Sequence, residues 1–239
     1  MSRLCTLCAR AGSKGVQNKN IRELCGKPLL AHSIEQAKNA QLFDVIAISS
    51  DSEKILDLAA HWGADQLIHR PAELAGDEAA KLPAIQHCVK TLEQQLGYTF
   101  NTFVDLDVTA PLREVADILA AVQLVETGAA SNVISACIAR RSPYFNMVEY
   151  DLSGQLNVIK QPKTTLVRRQ DTPICYDLNA SIYVWNRDSL LNETSLFLSN
   201  TQLYLMPEIS RFDIDSEFDF ELVNYLMQRQ NAQPNTLKT

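Results

Sequence analysis

The sequence predicts an α/β fold, a mostly parallel twisted sheet with helices on both faces. Three observations lead there. Short apolar runs ending near Cys8, at Val45–Ser49 and at Thr102–Leu106 have the length and unbroken hydrophobicity of strands buried on both faces. Helical periodicity fills intervals at about 29–40, 53–61, 82–96 and 113–127. Their alternation is a βαβ rhythm, which covers both sheet faces and brings ligands to the carboxyl ends of the strands.

The elements follow in order. Leu4-Cys5-Thr6-Leu7-Cys8 is a buried first strand. A long loop follows it, since the next helical pattern begins only near Pro28-Leu29-Leu30, whereas connections in such units usually take about 2–6 residues. After the strands and helices above, Val133–Cys137 reads as a further strand. The rhythm then changes: Pro143–Tyr150, a turn at Asp151-Leu-Ser-Gly154 and Gln155–Ile159 read as a hairpin. Ser181–Trp185 returns to a buried strand, followed by a short helical turn and a strand at Gln202–Met206. A last helix runs from Glu217 to about Gln228. One domain thus spans 1–230, with an insertion at 140–175 and a polar, frayed tail at 231–239. The hairpin carries Tyr144, Phe145, Met147, Val148, Val158 and Ile159. Left uncovered, that apolar set exceeds what a monomer normally exposes, so a homodimer through this region is expected.

Composition narrows the function. The 239 residues carry a formal net charge of −6, with 46% apolar and 21% charged residues. Net acidity speaks against a nucleic-acid binder. No apolar run approaches a membrane span, and Met1-Ser2-Arg3 leads into a strand without a signal-peptide core, so a cytoplasmic location is expected. Cys5 and Cys8 form a CxxC, but residues three apart on a strand face opposite ways and no second pair follows. They read as small buried hydrophobes, with a zinc or redox role as the alternative. The four histidines lack metal-ligand spacing.

Against the acidic whole, the stretch from Ala9 to Pro28 holds five cations (Arg10, Lys14, Lys19, Arg22, Lys27) and one acid, Glu23. Glycines let backbone N–H groups approach an anion, and lysines add full charges, so a polyphosphate is the expected guest. The loop lacks both GxGxxG and GxxxxGK[ST]. What it has is Arg10-x-Gly12-Ser13-Lys14-Gly15, then Lys19-Asn20, then Gly26-Lys27-Pro28. This resembles the signature loop of the CMP-sialic acid synthetases, the acylneuraminate cytidylyltransferases. Further blocks follow in that family's order: Ser49-Ser-Asp-Ser52, Arg70–Ala75 with Asp77, Thr109–Arg113, Arg169-Gln170, Asn179–Tyr183 and Asp213-Ile-Asp215.

The resemblance implies a Rossmann-like nucleotide-binding fold, a dimer, Mg²⁺ dependence, CTP as donor and a nine-carbon 2-keto acid sugar as acceptor. One block departs. The branch acting on N-acetylneuraminate generally has Gln-Pro-Thr-Ser-Pro-Leu-Arg, whereas this chain has Asp107-Val-Thr-Ala-Pro-Leu-Arg113. That form resembles the branch activating legionaminic acid and related sugars. An eight-carbon 3-deoxy-octulosonic acid remains an alternative acceptor, and a non-catalytic nucleotide sensor an alternative class.

Within that reading, Arg10, Lys14 and Lys19 are placed on the triphosphate, where charge stabilisation dominates phosphoryl transfer. Arg22 and Lys27 lie nearer the helix start and read equally well as solvated charges or as phosphate contacts. The nucleotide set is Ala9, Arg10, Gly12, Ser13, Lys14, Lys19, Asn20 and Arg70, the last two resembling residues that hold ribose and base; Lys81 falls where relatives carry a small hydroxyl residue. If the 212–215 segment is extended, Asp213 and Asp215 project to one side and suit Mg²⁺. Arg10, Lys19 and Asp215 form the catalytic set. Asp107, Arg169, Gln170 and Asn179 are the sugar candidates; an arginine fork matches a carboxylate in two hydrogen bonds, and Asp107 can instead hold a metal-bound water. Ser216 with Asp219 reads as a capping box, leaving Glu217 and Asp219 structural.

Overall fold

The computed structural model describes residues 1–160, 168 and 171–232. Along the chain run β1 (Arg3–Cys8), the short pair β2 (Glu23–Leu24) and β3 (Lys27–Pro28), α1 (Leu29–Asn39), β4 (Val45–Ser50), α2 (Glu53–His61), β5 (Gln66–His69), α3 (Lys81–Leu96), β6 (Thr102–Leu106) and α4 (Val115–Glu126). Then come β7 (Asn132–Ile138), β8 (Val148–Tyr150), β9 (Leu156–Val158), β10 (Tyr176–Asn186), α5 (Arg187–Asn192), β11 (Gln202–Leu205) and α6 (Glu217–Ala232). Seven strands form one sheet in the order β11-β7-β10-β6-β1-β4-β5. All run parallel except β10, which is antiparallel to both β6 and β7.

Burial on both faces explains why the strands read as continuous apolar runs. Cys5 and Leu7 of β1 join a core with Leu30 and Ile34 of α1, Ile55 of α2, Val122 of α4 and Val223 of α6. Leu4 faces the other core, built with Ile85 and Val89 of α3 and Leu190 of α5, and Cys8 packs against it. The CxxC thiols therefore point into opposite layers. Burial pushes both well above the ordinary thiol range, and among the described residues no group of three or more His, Cys, Asp or Glu is arranged around a metal position. No helix among the described residues is long and apolar enough to cross a membrane.

The switch in strand order falls at β1, flanked by β4 and β6. Neighbouring strands there diverge to connections on opposite faces, opening a crevice at their carboxyl ends. The long loop after β1 crosses that crevice. It ends in a tight β2–β3 turn, where Cys25 (φ 49°) and Gly26 (φ 80°) both occupy the left-handed region. That is the combination a two-residue hairpin turn of the right twist demands.

Two boundaries differ from expectation. The last helix continues to Ala232, so Asn231 and Ala232 are helical rather than part of a frayed tail; 233–239 lie outside the described residues. β10 begins at Tyr176, five residues before the apolar run, because its first half pairs with β7 through backbone bonds that require no buried side chains. A register shift between Leu178 and Tyr183 separates its halves, with Ala180 at φ 50°. In the insertion, β8 and β9 pair antiparallel around the Asp151–Gly154 turn. Phe145, Val148, Tyr150 and Leu156 of this hairpin are exposed, as are Ile138 and Tyr176, which pair at the ends of β7 and β10.

Candidate active site

The loop after β1 is held from three sides. Ala9 donates its N–H to the Ser49 carbonyl (3.0 Å), Ala11 to Asp51 Oδ1 (2.9 Å), and Asn20 Nδ2 donates to the Arg10 carbonyl (2.9 Å). Gly15 lies against the far end of the chain: a Cβ there would sit 1.8 Å from the Asp215 carbonyl oxygen. Lys19, at the start of a 3-10 turn over Lys19–Ile21, donates to the Ile214 carbonyl (2.5 Å) and to Asp215 Oδ1 (3.1 Å).

The result is a cleft of about 350 Å³ at the carboxyl ends of β1, β5 and β6, lined by Arg10, Ser13, Lys14, Lys19, Asn20, Arg70, Asp107 and Asp215 among others. Eight of the expected site residues thus meet in one place. Arg70 is buried and fixed from below by Ser49, through Oγ (3.0 Å) and the carbonyl (2.7 Å). Arg10 pairs with Asp77 (3.1 Å) and donates to the Gly76 carbonyl (2.8 Å), while Lys14 meets the other Asp77 oxygen at 2.5 Å. Asp77 is the shared counter-ion of two cations. Lys14 first, then Arg10, holds its carboxyl below the ordinary range despite the partial burial that opposes this.

Ile214 is buried and donates its N–H to the Thr109 carbonyl (2.9 Å), which ties the Asp213–Asp215 segment to the turn after β6. Asp215 is exposed and lines the cleft; Asp213 is half-buried beside it. Burial, and then the charge of Asp215, push the Asp213 carboxyl above its usual range. Two carboxylates this close, facing Lys19, offer oxygen donors suited to a hard divalent cation, which typically takes one or two carboxylates and completes its shell with phosphate and water.

At the end of β6, Asp107 stands in a cluster whose link through Lys81 the sequence did not foretell. Lys81 Nζ lies 2.6 Å from Asp107 Oδ2, 3.1 Å from Asp105 Oδ2 and 4.6 Å from the Tyr183 ring centroid. Asp105 is fully buried and accepts from Thr6 Oγ1 (2.8 Å). Asp107 Oδ1 accepts from the Thr109 N–H (3.0 Å) and hydroxyl (2.9 Å). Buried Arg113 braces this turn from behind, donating to the Asp107 carbonyl (2.8 Å), Ser33 Oγ (2.5 Å) and the Ser181 carbonyl (2.9 Å). Burial opposes both charges of the ion pair, but Lys81 and Thr109 outweigh it at Asp107 and hold that carboxyl down at about 2. Asp107 and Asp105 in turn raise Lys81 above its ordinary value. Asp107 is therefore ionised near neutrality and a weak base.

Other expected residues stand apart. Ala9 is buried with its N–H spent on Ser49, and Gly12 faces open space. Asn179 is buried: Oδ1 accepts from Ser135 Oγ (2.7 Å), and Nδ2 donates to the Ser210 carbonyl (2.9 Å) and meets Met206 Sδ (3.2 Å). It pins the irregular middle of β10 and presents no free group to a ligand, which corrects its reading as a sugar contact. Asn179→Ala is accordingly expected to lower stability by about 1–3 kcal/mol through unpaired buried groups, read by denaturant unfolding. An acceptor KM that rises with stability unchanged would contradict this placement. Arg169 and Gln170 lie outside the described residues. Arg22 pairs with Glu217 (2.5 Å) over the Phe220 ring, and Lys27 pairs with Glu35 (2.6 Å), so both serve the fold. The capping box forms as read: Asp219 Oδ2 accepts from the Ser216 N–H (2.8 Å), and Ser216 Oγ accepts from the Asp219 N–H (3.2 Å).

A family model described as cytidylyltransferase matches residues 4–237. The chain belongs to the cytidylyltransferase family. This cytidylyltransferase is 45% identical over 230 residues to post-translational flagellin modification protein B of Campylobacter coli, covering 96% of this chain and 97% of that protein. It is also 45% identical to the CMP-N,N'-diacetyllegionaminic acid synthase of Campylobacter jejuni, covering 97% of each. An N-acylneuraminate cytidylyltransferase of Escherichia coli is 32% identical across 94% of this chain, which spans 52% of that longer protein. In fold, the cytidylyltransferase is similar to CMP:2-keto-3-deoxy-manno-octonic acid synthetase complexed with CTP, with TM-score 0.69 and 14% identity over 96% of this chain and 100% of that one. Identity that low carries the architecture alone. It does include the Rossmann-like layering read from the sequence.

Proposed function

We propose that this cytidylyltransferase transfers CMP from CTP to the anomeric hydroxyl of a nonulosonic acid of legionaminic or N-acetylneuraminic type, releasing pyrophosphate. The observation that carries the acceptor is the end-to-end 45% identity to a CMP-N,N'-diacetyllegionaminic acid synthase. Asp107, where N-acetylneuraminate-using relatives are expected to carry Gln, supports the legionaminic side of that choice.

The residues divide the work as follows. Arg10, Lys14 and Lys19 neutralise the triphosphate, the larger part of the task because charge on the transferring group is what the site must stabilise. Asp77 holds the first two cations in place beforehand, and the triphosphate takes over as their partner. Ser13, Asn20 and Arg70 orient the nucleoside end, and Asp107 faces the acceptor. Asp213 and Asp215 would hold Mg²⁺, which when bound would supply positive charge to offset that of the phosphates. Lys19, paired with Asp215, links the cation-bearing loop to the carboxylate segment.

The reading is tested by pyrophosphate release from CTP with a legionaminic-type acid and, in parallel, with an eight-carbon 3-deoxy acid. Faster turnover of the nine-carbon acid is expected; preference for the eight-carbon acid would overturn the assignment. We further infer a homodimer in the cytoplasm, because the exposed apolar hairpin and the adjoining ends of β7 and β10 need cover. Sedimentation at micromolar protein is expected to give twice the chain mass, and a stable monomer would contradict it.

A further inference from the structure

Lys81 is an expensive residue to keep where it stands. It opens α3, where the helix dipole disfavours a cation. Its side chain is about three-quarters shielded, and one of its two carboxylate partners is fully buried. Replacing such a buried ionic cluster by well-packed apolar groups is often neutral or stabilising, so stability alone does not account for it. Departures of this kind concentrate at functional sites, and both Lys81 and Asp107 line the cleft.

We propose that Lys81 is a positioning residue that acts through Asp107 to set acceptor binding; this rests on the reading of the cleft as a site for an anionic nonulosonic acid. Two features of the geometry point this way. A carboxylate has about four acceptor sites, and the protein takes three at Asp107: two at Oδ1 from Thr109 and one at Oδ2 from Lys81. The remaining site lies on the oxygen that Lys81 orients, and the Asp107 side chain is 22% exposed and lines the cleft. The second feature is charge. Lys81 is the cation set against both carboxyl groups, 2.6 Å from Asp107 and 3.1 Å from Asp105; without it they would face each other, and an anionic acceptor above them, with no positive charge between. Lys81 thus holds Asp107 ionised in one orientation and keeps the floor of the cleft from repelling its guest.

The test compares wild type, Lys81→Met, Lys81→Met/Asp105→Asn and Lys81→Arg. The Met/Asn double variant takes away one carboxyl group along with the cation and retains Asp107, and Asn can still accept from Thr6. Lys81→Met is expected to raise KM for the acceptor about tenfold, on the order of 1.4 kcal/mol, with KM for CTP changed less than about threefold. The double variant is expected to return acceptor KM to within about threefold of wild type, and Lys81→Arg to retain part of it. Unchanged acceptor KM in Lys81→Met would overturn the proposal. So would a double variant whose melting temperature recovers while its acceptor KM does not, because Lys81 would then be structural or a direct contact. Absence of turnover with nonulosonic acids in the wild type would instead remove the underlying reading.

Discussion

Asp213→Asn and Asp215→Asn are each expected to reduce turnover at least 100-fold while leaving the fold intact. A 100-fold loss corresponds to about 2.7 kcal/mol of lost transition-state stabilisation, within the range for removing one charge-stabilising group from a preorganised site. The geometry explains why the fold should survive. Asp215 is exposed, and the anchor of its segment is the buried Ile214 with its bond to Thr109. At Asp213, burial and the neighbouring charge already disfavour ionisation, so the neutral amide relieves repulsion in the free protein. Steady-state turnover at saturating Mg²⁺, with unfolding curves beside it, reads both effects. Glu217→Gln is the contrast: it loses a surface pair with Arg22, expected to lower stability by about 0.3–1 kcal/mol and leave turnover near wild type. Near wild-type rates in both aspartate variants would refute the metal assignment.

Gly15→Ala is expected to be as damaging, for a steric reason. A methyl group at Gly15 would meet the Asp215 carbonyl oxygen at 1.8 Å and its carbon at 3.0 Å. Both are backbone atoms held by the Ile214–Thr109 bond, so the loop has to lift. Lifting it carries the phosphate cations away from Asp215, and small misplacements of positioning groups can lower rates about 100-fold. kcat/KM for CTP is expected to fall by about that factor with a minor change in melting temperature. Activity within threefold of wild type would mean that the loop and the carboxylate segment work independently.

How much of this was legible in the sequence depends on the range of the interactions. The strands and helices were readable because burial on both faces and the helical period are local signals. The cation-rich loop was readable because its charge contrasts with an acidic chain. Contacts between distant segments were not. Gly15 against Asp215 joins residues 200 positions apart, and nothing near Gly15 announces it. Lys81 was placed just outside a helix thought to begin at 82, and its partners arrive on β6 and just after it, 24 and 26 positions later. Asn179 was misread because a polar residue in a block resembling the family's suggests a ligand contact; here its side chain is spent on Ser135 and the Ser210 carbonyl inside an irregular strand. Arg22 and Lys27 belong to a conspicuous run of charge, yet each has an acid of the fold beside it. At Asp107 the chain departs from the pattern expected of the N-acetylneuraminate branch, and the Lys81 pairing gives that departure a physical setting.

The central claim is CMP transfer from CTP to a nonulosonic acid. Its most direct measurement is a matrix of CTP, UTP, ATP and GTP against N,N'-diacetyllegionaminic acid, N-acetylneuraminic acid and an eight-carbon 3-deoxy acid, followed by pyrophosphate release and product mass. The account predicts release with CTP, fastest with the legionaminic acid, and a product whose mass equals the acid plus CMP less water. Release with another nucleotide in preference to CTP, or no CMP conjugate with either nine-carbon acid, would contradict it.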